Sequence, residues 1–127
     1  MLKLAFHPVW ERVVDDQEKD RYKRAFELMQ PQQASFYITP IRIIQKKNGG
    51  ISATVFLVNN REFPLELQQF NVQMIDSNGK VIARQTFKEN LTIQAYQAIP
   101  WSFVFNAASM LLNEFDTDSC TILLENT

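Results

Sequence analysis

Cysteine, histidine and glycine are all scarce in this sequence, and each shortage excludes a kind of site. The single cysteine, Cys120, excludes an intramolecular disulfide. Together with the single histidine, His7, it cannot supply the three or four ligands of an ordinary structural zinc site. Gly49-Gly50 lacks the lysine and hydroxyl residue of a phosphate-binding loop and lies between predicted strands. We therefore expect no metal site and no bound cofactor.

Charge of one sign and long apolar runs are also missing. The 127 residues contain 13 basic and 14 acidic side chains, and this net charge of −1 provides no field that gathers nucleic acid. No apolar run approaches the roughly 20 residues that cross a bilayer, and the N-terminus lacks the apolar region of a secretory signal. The sequence predicts one domain without a nucleic-acid partner or transmembrane segment, located in the cytoplasm.

Catalytic groups are equally few. A Ser-His-Asp or Cys-His site needs a histidine beside the nucleophile, and His7 lies between an aromatic residue and Pro8, where a structural role is expected. Alternating acids at Glu114, Asp116 and Asp118 lack the glycine and terminal glutamate of an EF-hand loop. A solvated acidic loop explains them better than a weak calcium site, so we expect no catalytic residues and no enzyme activity.

The first quarter of the chain has a helical period. Asp15 and Glu18 are spaced as in a capping box, and Pro31 ends the predicted helix. One apolar stripe follows the same spacing and consists of Tyr22, Ala25, Phe26 and Met29. Upstream, Pro8 predicts a short helical turn that carries Trp10.

From Phe36 onward the period is two, which is typical of strands. Strands are predicted near 36–45, 51–59, 66–75, 80–88, 92–97, 99–105 and 119–125. Two Asn-Gly turns separate the first from the second and the third from the fourth. Residues 106–113 predict one or two helical turns. The apolar run 55–58 predicts a central strand covered on one face by the helix.

These patterns predict a mainly β fold, an immunoglobulin-like antiparallel β-sandwich of about seven strands with an N-terminal α-helix packed on it. The helical segment takes residues 1–31 and the sandwich residues 36–127 of a single domain. The predicted core residues share strand faces of period two and are Phe70, Val72, Trp101, Phe103 and Phe105.

Three segments together resemble the SLAP domain of accessory Sec system S-layer assembly proteins from Gram-positive bacilli. They read FHPVWE at 6–11, NGKVIARQTF at 78–87 and PWSFVF at 100–105. The resemblance implies a non-enzymatic accessory factor that assists the export or assembly of surface proteins, in the cytoplasm and in association with the export machinery at the membrane. Assembly proteins of this family tend to carry the domain in duplicate. The single copy here leaves two alternatives, a stand-alone relative with another client or a dimer.

A protein partner is expected at an edge strand, because the unpaired backbone groups of an edge recruit an extended peptide or a second protomer. The segments 36–45, interrupted by Pro40, and 92–97 are the candidate edges. The second is preferred, and its residues are Thr92, Ile93, Gln94, Ala95, Tyr96 and Gln97. Trp10 is either an interface anchor or a packing residue.

Two rival functions are open at this point. One is a general protein-interaction sandwich with an unrelated partner. The other is a small-ligand carrier or enzyme with a pocket between helix and sheet, which needs a deep pocket lined by convergent polar groups.

Overall fold

The computed structural model describes residues 2–112 and 114–125. Within them lie two helices, seven strands and two 3₁₀ turns. In chain order they are β1 (Lys3–Leu4), α1 (Pro8–Val13), α2 (Asp16–Leu28), β2 (Phe36–Gln45), β3 (Ile51–Asn59), β4 (Leu65–Ile75), β5 (Val81–Ile93), β6 (Gln97–Phe105), the turns Ala107–Ser109 and Thr117–Ser119, and β7 (Thr121–Glu125). The turn Ala107–Ser109 matches part of the helical prediction at 106–113, in which Asn113 lies outside the described residues.

The strands form two sheets, in the orders β1-β6-β3-β2 and β5-β4-β7. All described pairs are antiparallel except the short parallel pair of β1 and β6. This confirms the predicted mainly β fold with seven strands and an N-terminal helix.

The strand predicted at 92–97 is wrong. Thr92 and Ile93 end β5, which is longer than expected, and Gln97 begins β6. Between them the chain turns, and the Gln97 amide donates to the Gln94 carbonyl over 3.2 Å. This turn contains no glycine or Asn-Gly pair. The left-handed backbone conformation that glycine usually supplies is taken here by Tyr96, with φ of 57°. A turn without its usual residues leaves no signal in the sequence.

Helix α2 begins and ends where its sequence predicts. The Asp15 carboxylate accepts a hydrogen bond from the Glu18 amide over 2.8 Å and so caps the first turn. The helix then lies on the outer face of the four-stranded sheet, where the Phe26 ring meets the Phe56 ring edge-on at 6.1 Å. Met29 packs in the same cluster. The stripe therefore covers the central strand, as predicted.

The main core lies between the two sheets. Phe103 is fully buried there and contacts Phe70 and Phe87 at ring distances of 5.9 and 5.1 Å. The predicted core residues are all buried, and they are Phe70, Val72, Trp101, Phe103 and Phe105. The run 55–58 is buried on both faces, since Val55 and Leu57 join this core while Phe56 and Val58 lie under α2.

The two Asn-Gly segments form the predicted hairpin turns. Gly49 and Gly79 take φ of 91° and 83°, a conformation that glycine adopts without strain. In the second turn the Asp76 carboxylate accepts from the amides of Asn78 and Lys80, each over 2.9 Å. Both turns therefore fix the register of the strands that they join.

Candidate protein interface

One side of the sandwich, where β5 and β6 face each other, is closed by side chains and by added backbone pairing. The Gln85 amide group donates to the Val104 carbonyl over 3.1 Å and accepts from the Asn106 amide over 2.9 Å. These two bonds occupy the Val104 carbonyl of β6 and the Asn106 amide just after the strand, both at the edge of the sheet. Further along the same side, the Leu111 amide donates to the Ile82 carbonyl of β5 over 2.7 Å.

The edge of β6 is also protected at Ala98 and at Pro100. The Ala5 amide donates to the Ala98 carbonyl over 3.0 Å, so the backbone groups of even-numbered β6 residues point away from β3. Pro100 is one of these residues, and it has no amide hydrogen to offer a partner.

Helix α1 covers the middle of this closed side through Trp10. The Trp10 ring stacks on Trp101 at 6.2 Å and meets Tyr22 at 5.7 Å. His7 meets Trp101 edge-on at 5.2 Å, and its Nδ1 accepts from the Val9 amide at the start of α1. Both side chains pack on the core. Trp10 is therefore a packing residue in this structure. That it also anchors a protein interface stays a prediction.

The opposite side of the sandwich has two edge strands, β2 and β7, and within residues 2–112 and 114–125 each pairs with one strand, β3 and β4 respectively. In β2 the Asn60 amide donates to the Ser35 carbonyl, and the Lys46 amide donates to the Gly50 carbonyl, each over 2.8 Å. Successive residues of a strand direct their N–H and C=O groups to opposite sides, and these two bonds show that Ser35 and Lys46 face β3. Counting inward from them, the backbone groups that point away from β3 are those of Phe36, Ile38, Ile43 and Gln45. Their position confirms that 36–45 is an edge strand.

Pro40 and a β-bulge divide this edge in two. The register with β3 shifts between Pro40 and Arg42, so Ile41 is the extra residue. Alternation also places the Pro40 nitrogen at the open edge, where its missing hydrogen breaks no bond to β3. A partner strand can therefore pair with 36–38 or 43–45 but meets an interruption between them.

The segment predicted as the preferred interface has several different environments. Ile93 is buried in the core, Ala95 and Gln97 are half-buried, and Tyr96 is 40% exposed. Thr92 and Gln94, with Gln97, line a cleft of about 430 Å³ beside the chain that precedes α1. The structure therefore does not bring all these residues to one surface, and their contact with a partner stays a prediction.

Tyr96 offers a simple stability test at this turn. Its left-handed φ costs an L-residue about 1–2 kcal/mol, and its amide donates to the Arg61 carbonyl over 3.2 Å in that conformation. Tyr96→Gly removes the strain and is expected to raise or preserve the melting temperature. Tyr96→Ala keeps the strain and loses the ring, and it should melt lower than the glycine variant. Calorimetry that ranks the two variants in the opposite order contradicts this account.

Asn59 is a buried polar residue that sequence reasoning missed. It is fully buried, and its Nδ2 donates to the carbonyls of Phe63 and Ile93 over 2.8 and 3.0 Å. Its Oδ1 accepts from the Arg61 amide over 3.1 Å. One side chain thus ties the loop after β3 to the end of β5. The only signal in the sequence is an asparagine that ends a fully apolar run.

A small cleft lies between α2 and the four-stranded sheet, as the ligand-carrier hypothesis requires. It measures about 200 Å³ and is lined by Glu18, Arg21, Tyr22, Arg42 and Thr54. Burial raises the pKa of Tyr22, as does nearby Glu18, while Arg42 opposes the shift. Ligand pockets usually measure about 300–1,000 Å³, so this cleft is smaller than the hypothesis needs. A second groove between α2 and β2 measures about 380 Å³, but its lining is mainly apolar and not a set of convergent polar groups.

The acidic segment before β7 forms a capped turn. The Asp116 carboxylate accepts from the Asp118 amide over 2.9 Å, and the Cys120 thiol donates to the Asp116 carbonyl over 3.1 Å. Burial raises the pKa of that thiol, and Asp116 and Asp76 add to the rise. Within the described ranges, no three potential ligands among histidine, cysteine, aspartate and glutamate lie together.

The fold and its edges define a β-sandwich module with one closed side and one open side. The chain belongs to the SLAP domain family, whose model matches residues 4–126. Membership suggests a module associated with the cell surface or an S-layer. A comparison with curated proteins finds no match. None of the helices within the described residues is long and apolar enough to span a membrane.

Proposed function

We propose that this protein is a non-enzymatic binding module that assists the export or assembly of S-layer-type surface proteins, and that it binds its partner through β2. The observation that carries the proposal is the contrast between the two sides of the sandwich. Gln85, Trp10 and the chain at Leu111 cover the β5 and β6 side. The β2 edge keeps outward backbone groups at Ile38 and Ile43, which pair with no other strand among the described residues.

An edge strand suits a factor that meets proteins during export. Such clients are not yet folded, and strand addition binds an extended chain mainly through its backbone, with little demand on its side chains. Pro40 and the bulge at Ile41 keep each paired stretch short. Short pairing favours a reversible contact over a permanent extension of the sheet. The partner is a surface-protein client or a component of the export machinery, and the module acts in the cytoplasm.

Amide hydrogen exchange tests this proposal directly. In the free protein, the outward amides of Ile38 and Ile43 should exchange faster than the inward amides of Tyr37 and Ile44, which are bonded to β3. A pull-down from the native cell with mass spectrometry identifies the partner. Adding that partner should slow exchange at Ile38 or Ile43 by about tenfold or more.

The closed side provides the control for this measurement. Amides near Gln85 and Ala98 should keep their exchange rates when the partner binds, since their edge is already occupied. Slowed exchange at the 92–97 turn with unchanged β2 amides would move the interface to the other candidate segment.

A further inference from the structure

We propose that β2 selects an extended segment whose side chains alternate between apolar and polar, as in a strand that will later be half-buried in its own fold. This inference rests on the proposed function and deepens it. It comes from two unlike clefts that flank the same edge. We name them the helix-side groove, between α2 and β2, and the gap cleft, between β2 and residues 117–120.

The helix-side groove is mainly apolar. It measures about 380 Å³, and the described residues that line it include Gln30 and Gln32 but no lysine, arginine, aspartate or glutamate. Its lining side chains include Ala25, Leu28, Met29, Thr39, Ile41 and Phe56. Leu28 is 79% exposed at its rim, so its side chain is available to contact a partner in the groove. The Thr39 hydroxyl is buried there with no hydrogen-bond partner among the described residues.

The gap cleft is more polar than the helix-side groove. It measures about 480 Å³, and its polar lining consists of Thr117, Asp118 and Arg42, which also lines the cleft beside Tyr22 on the helix side. The Asp118 side chain is exposed and forms no ion pair with another described residue. Polar side chains, and lysine in particular, complement this cleft better than apolar ones.

The two clefts meet at the edge itself, because Pro40 and Ile41 line both of them. A strand added beside β2 lies about 4.8 Å away, and its successive side chains point to opposite faces of the sheet. On either side of the interruption at Pro40 and Ile41, side chains of one parity therefore point toward the face of the helix-side groove, and those of the other parity point toward the gap cleft. The chemistry of the two clefts then favours apolar residues at one parity and polar residues at the other.

A bare extended chain fits this edge better than a second copy of the protein does. Antiparallel pairing of two β2 strands places the outer faces of both sheets on the same side. The partner copy would then bring its own α2, packed over Phe56 and Met29, onto the face where the groove opens. An unfolded segment brings no helix, so its side chains are free to enter the groove.

Two peptides of the same composition test the inference. Both have about ten residues, a usual strand length, and contain valine, threonine and lysine. One alternates apolar with polar residues, and the other collects its valines in one block. Fluorescence anisotropy should give the alternating peptide a Kd lower by about tenfold. Leu28→Glu, which places a charge at the groove, should remove most of this difference. Val13→Glu is the matched control, because Val13 is 73% exposed on α1, away from the groove.

The outcomes separate this inference from the proposed function. If both peptides bind equally and both slow exchange at Ile38, strand addition at β2 stands and the alternation rule is wrong. If neither peptide binds or changes exchange at β2, both proposals fail. If sedimentation shows a dimer that protects Ile38 without any peptide, the occupant is a second copy and the inference is overturned. Retention of the tenfold preference in Leu28→Glu likewise overturns the role of the groove.

Discussion

Phe103→Ala should lower the free energy of unfolding by about 3–5 kcal/mol, the cost of removing a large aromatic side chain from a packed core. Phe103 is fully buried, and its ring contacts Phe70 from β4 and Phe87 from β5. The truncation therefore opens a cavity where the two sheets meet. A loss of this size is a large fraction of the 5–15 kcal/mol that stabilises a typical domain, and the melting temperature should fall by roughly 10–20 °C.

Val104→Ala is the matched control for this truncation. Val104 is the next residue of β6, but its side chain lies on the outer face and is 44% exposed. Its truncation should change the free energy of unfolding by about 0.5 kcal/mol or less. Urea unfolding followed by tryptophan fluorescence measures both variants. Equal losses in the two variants would show that Phe103 does not join the sheets in the way its contacts indicate.

Asn59→Ala is expected to cost about 3 kcal/mol, although it removes only a small polar group. Its loss leaves the carbonyls of Phe63 and Ile93 and the amide of Arg61 without their partner. A buried polar group left unsatisfied costs about 1–3 kcal/mol. Asn60→Ala provides the control, because Asn60 bonds to the Ser35 carbonyl through its backbone amide, which the substitution keeps. Denaturant unfolding that ranks the two variants equally contradicts this role for Asn59.

Asn59→Asp adds a pH dependence whose sign follows from the same contacts. The new carboxyl would face the carbonyls of Phe63 and Ile93 in a fully buried site, so its folded pKa would lie above the unfolded value of about 3.9. The variant is therefore most stable, relative to the parent, below that unfolded value, and it loses stability as pH rises through the folded pKa. A relative stability that instead improves from pH 4 to pH 7 would contradict the buried position of this side chain.

The sequence predicts the helix, the hairpins and the core because each depends on local signals. Asp15 caps α2, and glycines supply the positive φ of both Asn-Gly turns. The period of two places Phe103 and Trp101 on one face. Edge position could be predicted for 36–45 since Pro40 tolerates only an edge or a bulge, and it lies at both.

The remaining features depend on contacts between distant segments. The turn before β6 was missed because Tyr96 supplies the φ expected of glycine. The two residues of β1 pair with β6 across most of the chain, and no pattern of that length is visible in sequence. The role of Gln85 depends on where β6 ends, which only the packed sheets determine. Contacts of this kind are set by topology, so composition and periodicity do not reveal them.

The occupied edge at Gln85 also limits the number of strands that the four-stranded sheet can gain. A chain that joins at β2 finds a less open edge on the other side of the sheet, because the carbonyls of Ala98 and Val104 in β6 already accept from the Ala5 amide and from Gln85. This occupancy hinders end-to-end addition of copies through the sheet, which is the arrangement that builds fibrils. If β2 is the binding edge, as proposed, the four-stranded sheet accepts one added strand at a time.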